Sequence, residues 1–307
     1  MTFDEFAYAL AKLDNTVIHH PAHSRAILRV QTAVAMSSVA NLNGAVVVMG
    51  LSGIGKTVVL NQFKKSFEAQ KPESPYRCVM IEMPNNVTYR SLGIQLLSQI
   101  NCPVRISKAT TEAMITELVA HQYASAGVEC MIFDETQRLI NRNNSLNLEN
   151  VANALTSIMN LVKKPLIIAG TPEIDQLRKG FGPLARRVQD TIKLQPFDTR
   201  SSGGIADFTK LIGAINATLP LKLPAWILSD EGLEFIQLQT GGIIGVLLPL
   251  IRHAARDAFM LKEDAISAQR LIDSAAELEL SEWQQVGQAN SSLIRVSNLF
   301  QPKRSKP

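Results

Sequence analysis

Eight consecutive residues, Gly50-Leu51-Ser52-Gly53-Ile54-Gly55-Lys56-Thr57, carry the strongest chemical signal in the chain. They match G-x-x-x-x-G-K-[ST] at every position, between an apolar run and a helical pattern, the context that the motif requires. Glycines let the backbone turn tightly, so that successive N–H groups and a helix N-terminus point at one anion. Gly50, Ser52, Gly53, Ile54, Gly55, Lys56, Thr57 and Val58 are therefore the expected nucleotide-binding set. Lys56 should reach the β- and γ-phosphates of ATP, and the Thr57 hydroxyl should bind Mg2+.

Three further groups suit phosphoryl chemistry. The apolar run Val128–Phe133 ends in Asp134-Glu135. Acids at the C-terminal end of a parallel strand beside the P-loop strand face the phosphate site. Asp134 is expected to organise Mg2+ with Thr57, and Glu135 to polarise an attacking water. Hydrolysis needs such a base, whereas nucleotide binding alone does not. The run Pro165–Gly170 ends in Thr171, which is placed either to touch the γ-phosphate or lytic water, or simply to turn the chain before Pro172. Arg186-Arg187 precede a short strand. They are either a solvated basic pair or a source of positive charge for a transition state in a neighbouring subunit.

The elements that must position these residues alternate. Strands are expected at 45–49, 76–82, 128–133, 165–169 and within 187–194. Helices are expected at 24–40, 58–69, 89–100, 110–125 and 150–161. Such alternation implies an α/β fold, a parallel sheet with helices on both faces. After Pro196 the pattern is helical only (205–216, 230–239, 245–261, 265–277), with Ser229 as an N-cap before Asp230-Glu231. The domains read as 1–196, a helical lid at 197–280, and an extension with a basic tail at 281–307.

The chain has 307 residues, enough for a large core without disulfides or metal. Cys78, Cys102 and Cys130 form no metal or redox motif and read as reduced thiols. His19, His20 and His23 cluster without a cysteine or acid nearby, which argues against zinc. The longest apolar stretch, Ile243–Ile251, falls far short of the ~20 residues of a membrane span, and the first residues are acidic where a signal peptide is basic. A cytoplasmic protein with no membrane partner is expected. Net charge +4 permits nucleic-acid contact without demanding it.

The order of P-loop strand, Asp-Glu strand, polar strand tip, arginine before the last strand and helical lid resembles the AAA+ ATPases over about residues 15–280. Asp134-Glu-Thr-Gln137-Arg138-Leu139 resembles the Asp-Glu-x-Gln-His-Leu signature of the TniB/TnsC transposition regulators, with Arg138 in place of His. Ile168-Ala-Gly-Thr171 is similar to their Gly-Thr segment. Leu184-Ala-Arg-Arg187-Val188 resembles their Leu-x-x-Arg-Phe, with Val188 in place of Phe, which points to Arg187 as the finger. His20-Pro21-Ala-His23 is similar to their segment near the adenine, which adds Pro21 to the binding set. The lid helix lacks the arginine that many AAA+ lids place at its start; Arg252 and Arg256 come later.

The resemblance implies an ATP-dependent regulator that forms rings or filaments on double-stranded DNA without sequence preference. It implies recruitment of a DDE transposase, work with a target selector such as TniQ, and disassembly on hydrolysis. Its DNA-facing elements follow the second strand, where this chain has Arg90, Arg105 and Lys108. Helicase loaders of the IstB/DnaC kind share the same core. A signalling switch NTPase that binds no DNA is the alternative from another class.

Overall fold

The computed structural model describes residues 2–15, 21–39, 44–74, 76–83, 89–102, 110–140, 145–180 and 182–280. In chain order the helices are α1 (Phe3–Asn15), α2 (Pro21–Val39), α3 (Lys56–Glu68), α4 (Tyr89–Ser98), α5 (Glu112–Ser125), α6 (Ser145–Val162), α7 (Asp175–Gly180), α8 (Gly182–Ala185), α9 (Ser202–Thr218), α10 (Asp230–Thr240), α11 (Ile244–Met260) and α12 (Ala268–Glu277). The strands are β1 (Ala45–Met49), β2 (Cys78–Glu82), β3 (Cys130–Asp134), β4 (Leu166–Gly170) and β5 (Val188–Lys193). The described residues divide into two compact units, one drawn from 17–195 and the other from 1–16 and 196–280.

The first unit is an α/β layer structure. Its five strands are parallel, in the order β2-β3-β4-β1-β5. Period-2 alternation sends Ala45, Val47 and Met49 to one face and Val46 and Val48 to the other. Both faces are covered, which is why β1 reads as an unbroken apolar run. On one side the core takes in Leu92 and Leu96 of α4, Ile115 and Val119 of α5, and Leu155 and Met159 of α6. On the other it takes in Val30 and Val34 of α2, and Val59, Leu60 and Phe63 of α3.

The strand order corrects one expectation. The Asp134 strand, β3, does not lie beside the P-loop strand β1, because β4 is inserted between them. Strand adjacency is set by crossover connections, which hydrophobic periodicity does not record. All the strands are parallel, so the C-terminal ends of β1, β3 and β4 still share one edge of the sheet. Cys78 and Cys130 are paired in register and buried, and Cys102 is half-buried; all three are free thiols. The neighbouring Cys78 thiol, and then burial, push the Cys130 pKa up, so it stays protonated.

The second unit is helical. Ser201, Ser229 and Ser267 cap α9, α10 and α12 by accepting from the N–H groups of Gly204, Gly232 and Arg270. Its core holds Phe208, Leu211, Ile215, Ile236, Leu250, Ile251 and Leu271. Residues 3–15, which the sequence places with the nucleotide-binding domain without marking a helix there, form α1 and group instead with this unit. Phe6 is buried and stacks on Phe259 of α11, with ring centroids 4.2 Å apart. The pattern of α1 shows an apolar face but not which surface it will cover. Among the described residues no single helix is long and apolar enough to cross a membrane.

Candidate nucleotide site

After β1 the backbone turns through Gly50–Gly55 and enters α3 at Lys56. The Gly50 N–H donates to the Gly170 carbonyl of β4, 3.2 Å. Gly55 precedes α3 at φ 95, a left-handed conformation that side chains disfavour. A Cβ there would also meet the imidazole of His23 at 2.5 Å. His23 is buried, and its Nε2 lies 3.1 Å from the Ile54 carbonyl. A carbonyl only accepts, so Nε2 carries the proton and donates. Burial pushes the pKa of His23 down, which keeps the ring neutral in this role. Pro21 opens α2 two residues earlier, while Ile54 is buried beneath the loop and Ser52 and Val58 are exposed.

Lys56 is 4% exposed, and its Nζ donates to the carbonyls of Gly50 and Leu51, 3.0 Å each. Burial lowers its pKa, while Glu135, Asp134 and Glu173 nearby pull the other way. The ammonium therefore sits among three carboxylates at the N-terminus of a helix. Thr57 Oγ1 donates to Asp134 Oδ2 at 2.7 Å, and the Glu135 N–H donates to Asp134 Oδ1 at 2.8 Å. A hydroxyl and a buried carboxylate in contact form the oxygen donor set that a hard cation takes when substrate phosphates complete its shell. These two residues fit Mg2+.

Glu135 adopts φ 54, ψ 34. A non-glycine residue in this region costs of order 1–3 kcal/mol, a strain that clusters at functional sites. Its Oε2 accepts from Gln137 Nε2 at 2.7 Å and lies 3.9 Å from Arg138 Nε. The other end of the Gln137 amide, Oε1, accepts the Thr171 N–H at 3.1 Å. Arg138 also pairs with Glu82 at 2.7 Å and donates to the Met83 carbonyl. Thr171, at the tip of β4, has a buried Oγ1 with no hydrogen-bond partner among the described residues.

Lys56, Thr57, Asp134, Glu135 and Thr171 thus come together at one edge of the sheet, whereas Arg187 lies at the other. Its neighbour Val188 pairs with Ala45 at the start of β1, whereas Lys193 pairs with Met49, next to the P-loop. Five residues of strand rise about 17 Å. The Arg187 guanidinium donates to the Pro183 carbonyl at 3.1 Å and to the Asn160 side chain, and Arg186 is exposed. Of the expected DNA contacts, Arg90 donates to the Thr110 carbonyl at 3.0 Å, while Arg105 and Lys108 lie outside the described residues.

Two features escaped the sequence reading: the seat of His23 on Gly55, and the bridge that Gln137 makes from Glu135 to β4. The spacing Asp134-Glu135-x-Gln137 is visible in the sequence, but the nearness of Gln137 to Thr171 follows from folding alone.

The sequence profile of the bacterial TniB protein family matches residues 10–195. That is more than half of the chain, and the chain belongs to this family. No curated protein matches the sequence. Among solved structures, the fold is similar to the ORC2 protein of Aeropyrum pernix in its ADPNP-ADP complexes (12% identity, 82% of this chain, 66% of that one, TM-score 0.62). It is similar to the Aeropyrum pernix ORC1 protein in complex with DNA (14% identity, 89% and 69%, TM-score 0.63). It is also similar to domain III of the replication initiation protein DnaA from Thermotoga maritima (15% identity, 86% and 95%, TM-score 0.53). The chain spans about two thirds of the length of the two ORC proteins. At these identities the likeness establishes the AAA+ fold.

Proposed function

We propose that this TniB-family protein is an ATPase that regulates DNA transposition: with ATP it assembles on double-stranded DNA as a ring or filament, recruits a DDE transposase, and releases on hydrolysis. The observation that carries the reading is the contact of the Thr57 hydroxyl with the buried carboxylate of Asp134, with Glu135 next to it and Lys56 close by. A cradle for phosphate alone has no use for a strained glutamate beside a cation-binding pair.

The chain's own residues have separable roles. The P-loop N–H groups and Lys56 hold the β- and γ-phosphates, with His23 bracing the loop at Gly55. Lys56 leaves the Gly50 and Leu51 carbonyls to do so. Thr57 and Asp134 would hold Mg2+, which when bound would supply positive charge at the phosphates. Glu135 orients water and accepts its proton. The buried Thr171 hydroxyl supplies a hydrogen bond at the γ-phosphate. Arg187, about 17 Å of strand away from its own P-loop, serves the next subunit. Arg90, Arg105 and Lys108 face the DNA, a target selector such as TniQ directs the assembly, and all of this takes place in the cytoplasm. The family supports the transposition role, and the neighbours bound to nucleotide and to DNA support the two ligand classes.

The test is fluorescence anisotropy on two duplexes of unrelated sequence, with ATP, with ADP and without nucleotide. The expected result is ATP-dependent binding, equal for both sequences and falling steeply with salt, as phosphate contacts dictate. Tight binding to a helicase hexamer with no duplex binding would replace this reading by a helicase loader. ATP turnover with no response to any DNA would replace it by a signalling switch.

A further inference from the structure

Gln137 lies between the two ends of the hydrolytic apparatus, and its amide has only one allowed orientation. The Thr171 N–H can only donate, so it must meet the carbonyl end, Oε1, at 3.1 Å. The NH2 end is then forced toward Glu135, where Nε2 donates to Oε2 at 2.7 Å. The backbone of β4 therefore fixes the amide, and the amide fixes one oxygen of the glutamate. Gly170 belongs to the same arrangement: a side chain there would run into Gln137 Oε1, and into Ile174 Cγ2 at 2.7 Å. Glu135 is held from its backbone side as well, because its N–H donates to Asp134. Its position is thus determined by β3 through Asp134 and by β4 through Gln137.

We infer that Gln137 is the positioning residue for Glu135, the link by which the tip of β4 sets where the hydrolytic carboxylate points. The inference rests on the reading of Glu135 as the residue that activates water. In this role Gln137 acts through the carboxylate, which it holds by one hydrogen bond while β4 holds its other end. It holds the carboxylate with the Oε2 lone pairs partly engaged, which leaves Oε1 to accept the proton. A misplacement of about 1 Å at a reacting group costs up to about 100-fold in rate. Gln137→Ala should lower kcat by about 10- to 100-fold while the affinity for ATP stays within about twofold, because the phosphate cradle keeps all of its groups.

The closing experiment is single-turnover ATP hydrolysis by the full chain with duplex DNA, together with calorimetric ATP binding, for four variants. They are Gln137→Ala, Gln137→Met, Glu135→Gln, and Gln137→Ala combined with Glu135→Gln. Met keeps the volume of Gln137 but makes neither hydrogen bond, so it should be as slow as Ala. A packing role would instead be rescued by Met. Retained ATP affinity certifies that each variant is folded. If Gln137 acts only through Glu135, the double variant is no slower than Glu135→Gln alone. Wild-type turnover in Gln137→Ala or Gln137→Met, or a double variant slowed by the product of the two single effects, would overturn the inference while leaving Glu135 in place. Wild-type turnover in Glu135→Gln would overturn the role of Glu135 itself, and the inference with it.

Discussion

Replacing Arg187 by Ala separates a site completed within one chain from a site shared between two. The guanidinium lies at the N-terminal end of β5, level with the start of β1, and the P-loop follows the other end. About 17 Å of strand separates the two, roughly twice the screening length at physiological salt. The variant should therefore bind ATP within about twofold of wild type. The hydrogen bonds that Arg187 makes to Pro183 and Asn160 are at the surface, and removing them costs on the order of 1 kcal/mol or less, so the fold survives. Hydrolysis is another matter. An arginine finger contributes about 10³–10⁵ in kcat, or about 4–7 kcal/mol at 1.36 kcal/mol per tenfold. The assay is steady-state ATP turnover against protein concentration, followed by mixing of two inactive pools. Glu135→Gln subunits keep their arginine, and Arg187→Ala subunits keep their carboxylate. In a head-to-tail assembly of equal parts, roughly a quarter of the interfaces join an intact Glu135 pocket to an intact Arg187. Activity should recover in that proportion. If the proteins co-assemble and no mixture recovers activity, the shared-site reasoning is refuted.

Lys56→Ala removes the buried ammonium that the phosphate cradle directs at the β- and γ-phosphates. ATP affinity should fall at least about 100-fold by calorimetry; unchanged affinity would remove the P-loop from the site. Gly170→Ala should displace Gln137 and slow hydrolysis in single-turnover assays by about the same 10- to 100-fold as Gln137→Ala, with ATP binding retained. Arg105→Ala combined with Lys108→Ala should weaken duplex binding alike for all sequences and reduce the salt slope by about 1–2 in anisotropy titrations. An unchanged slope moves the DNA surface elsewhere.

Much of the fold was legible because its elements carry local marks. The all-apolar β1 announces a strand buried on both faces, and Ser229 before two acids announces the start of α10. The candidate site was legible where one motif holds several of its residues, as in Gly50–Thr57, or where a strand delivers the residue at or just past its C-terminal end to a common edge, as with Asp134 and Thr171. Relations between distant segments were not legible. That β4 separates β3 from β1 depends on crossovers that no periodicity encodes. That α1 stacks Phe6 on Phe259 depends on a surface some 250 residues further along the chain. The Gln137 bridge depends on a short 3-10 turn, Thr136–Leu139, which brings its amide to the tip of β4. A polar side chain that reaches a backbone N–H 34 residues away leaves no pattern in the sequence.

The central claim is that nucleotide governs assembly on duplex DNA. Sedimentation velocity of the protein with a short duplex of mixed sequence tests it directly. With ATP and the Glu135→Gln variant, which should bind without turning over, the account predicts a large complex whose mass grows with duplex length. With ADP, or with Lys56→Ala under any nucleotide, it predicts free protein and free DNA. An equal complex in ADP and ATP, or a single protein per duplex whatever its length, would contradict it.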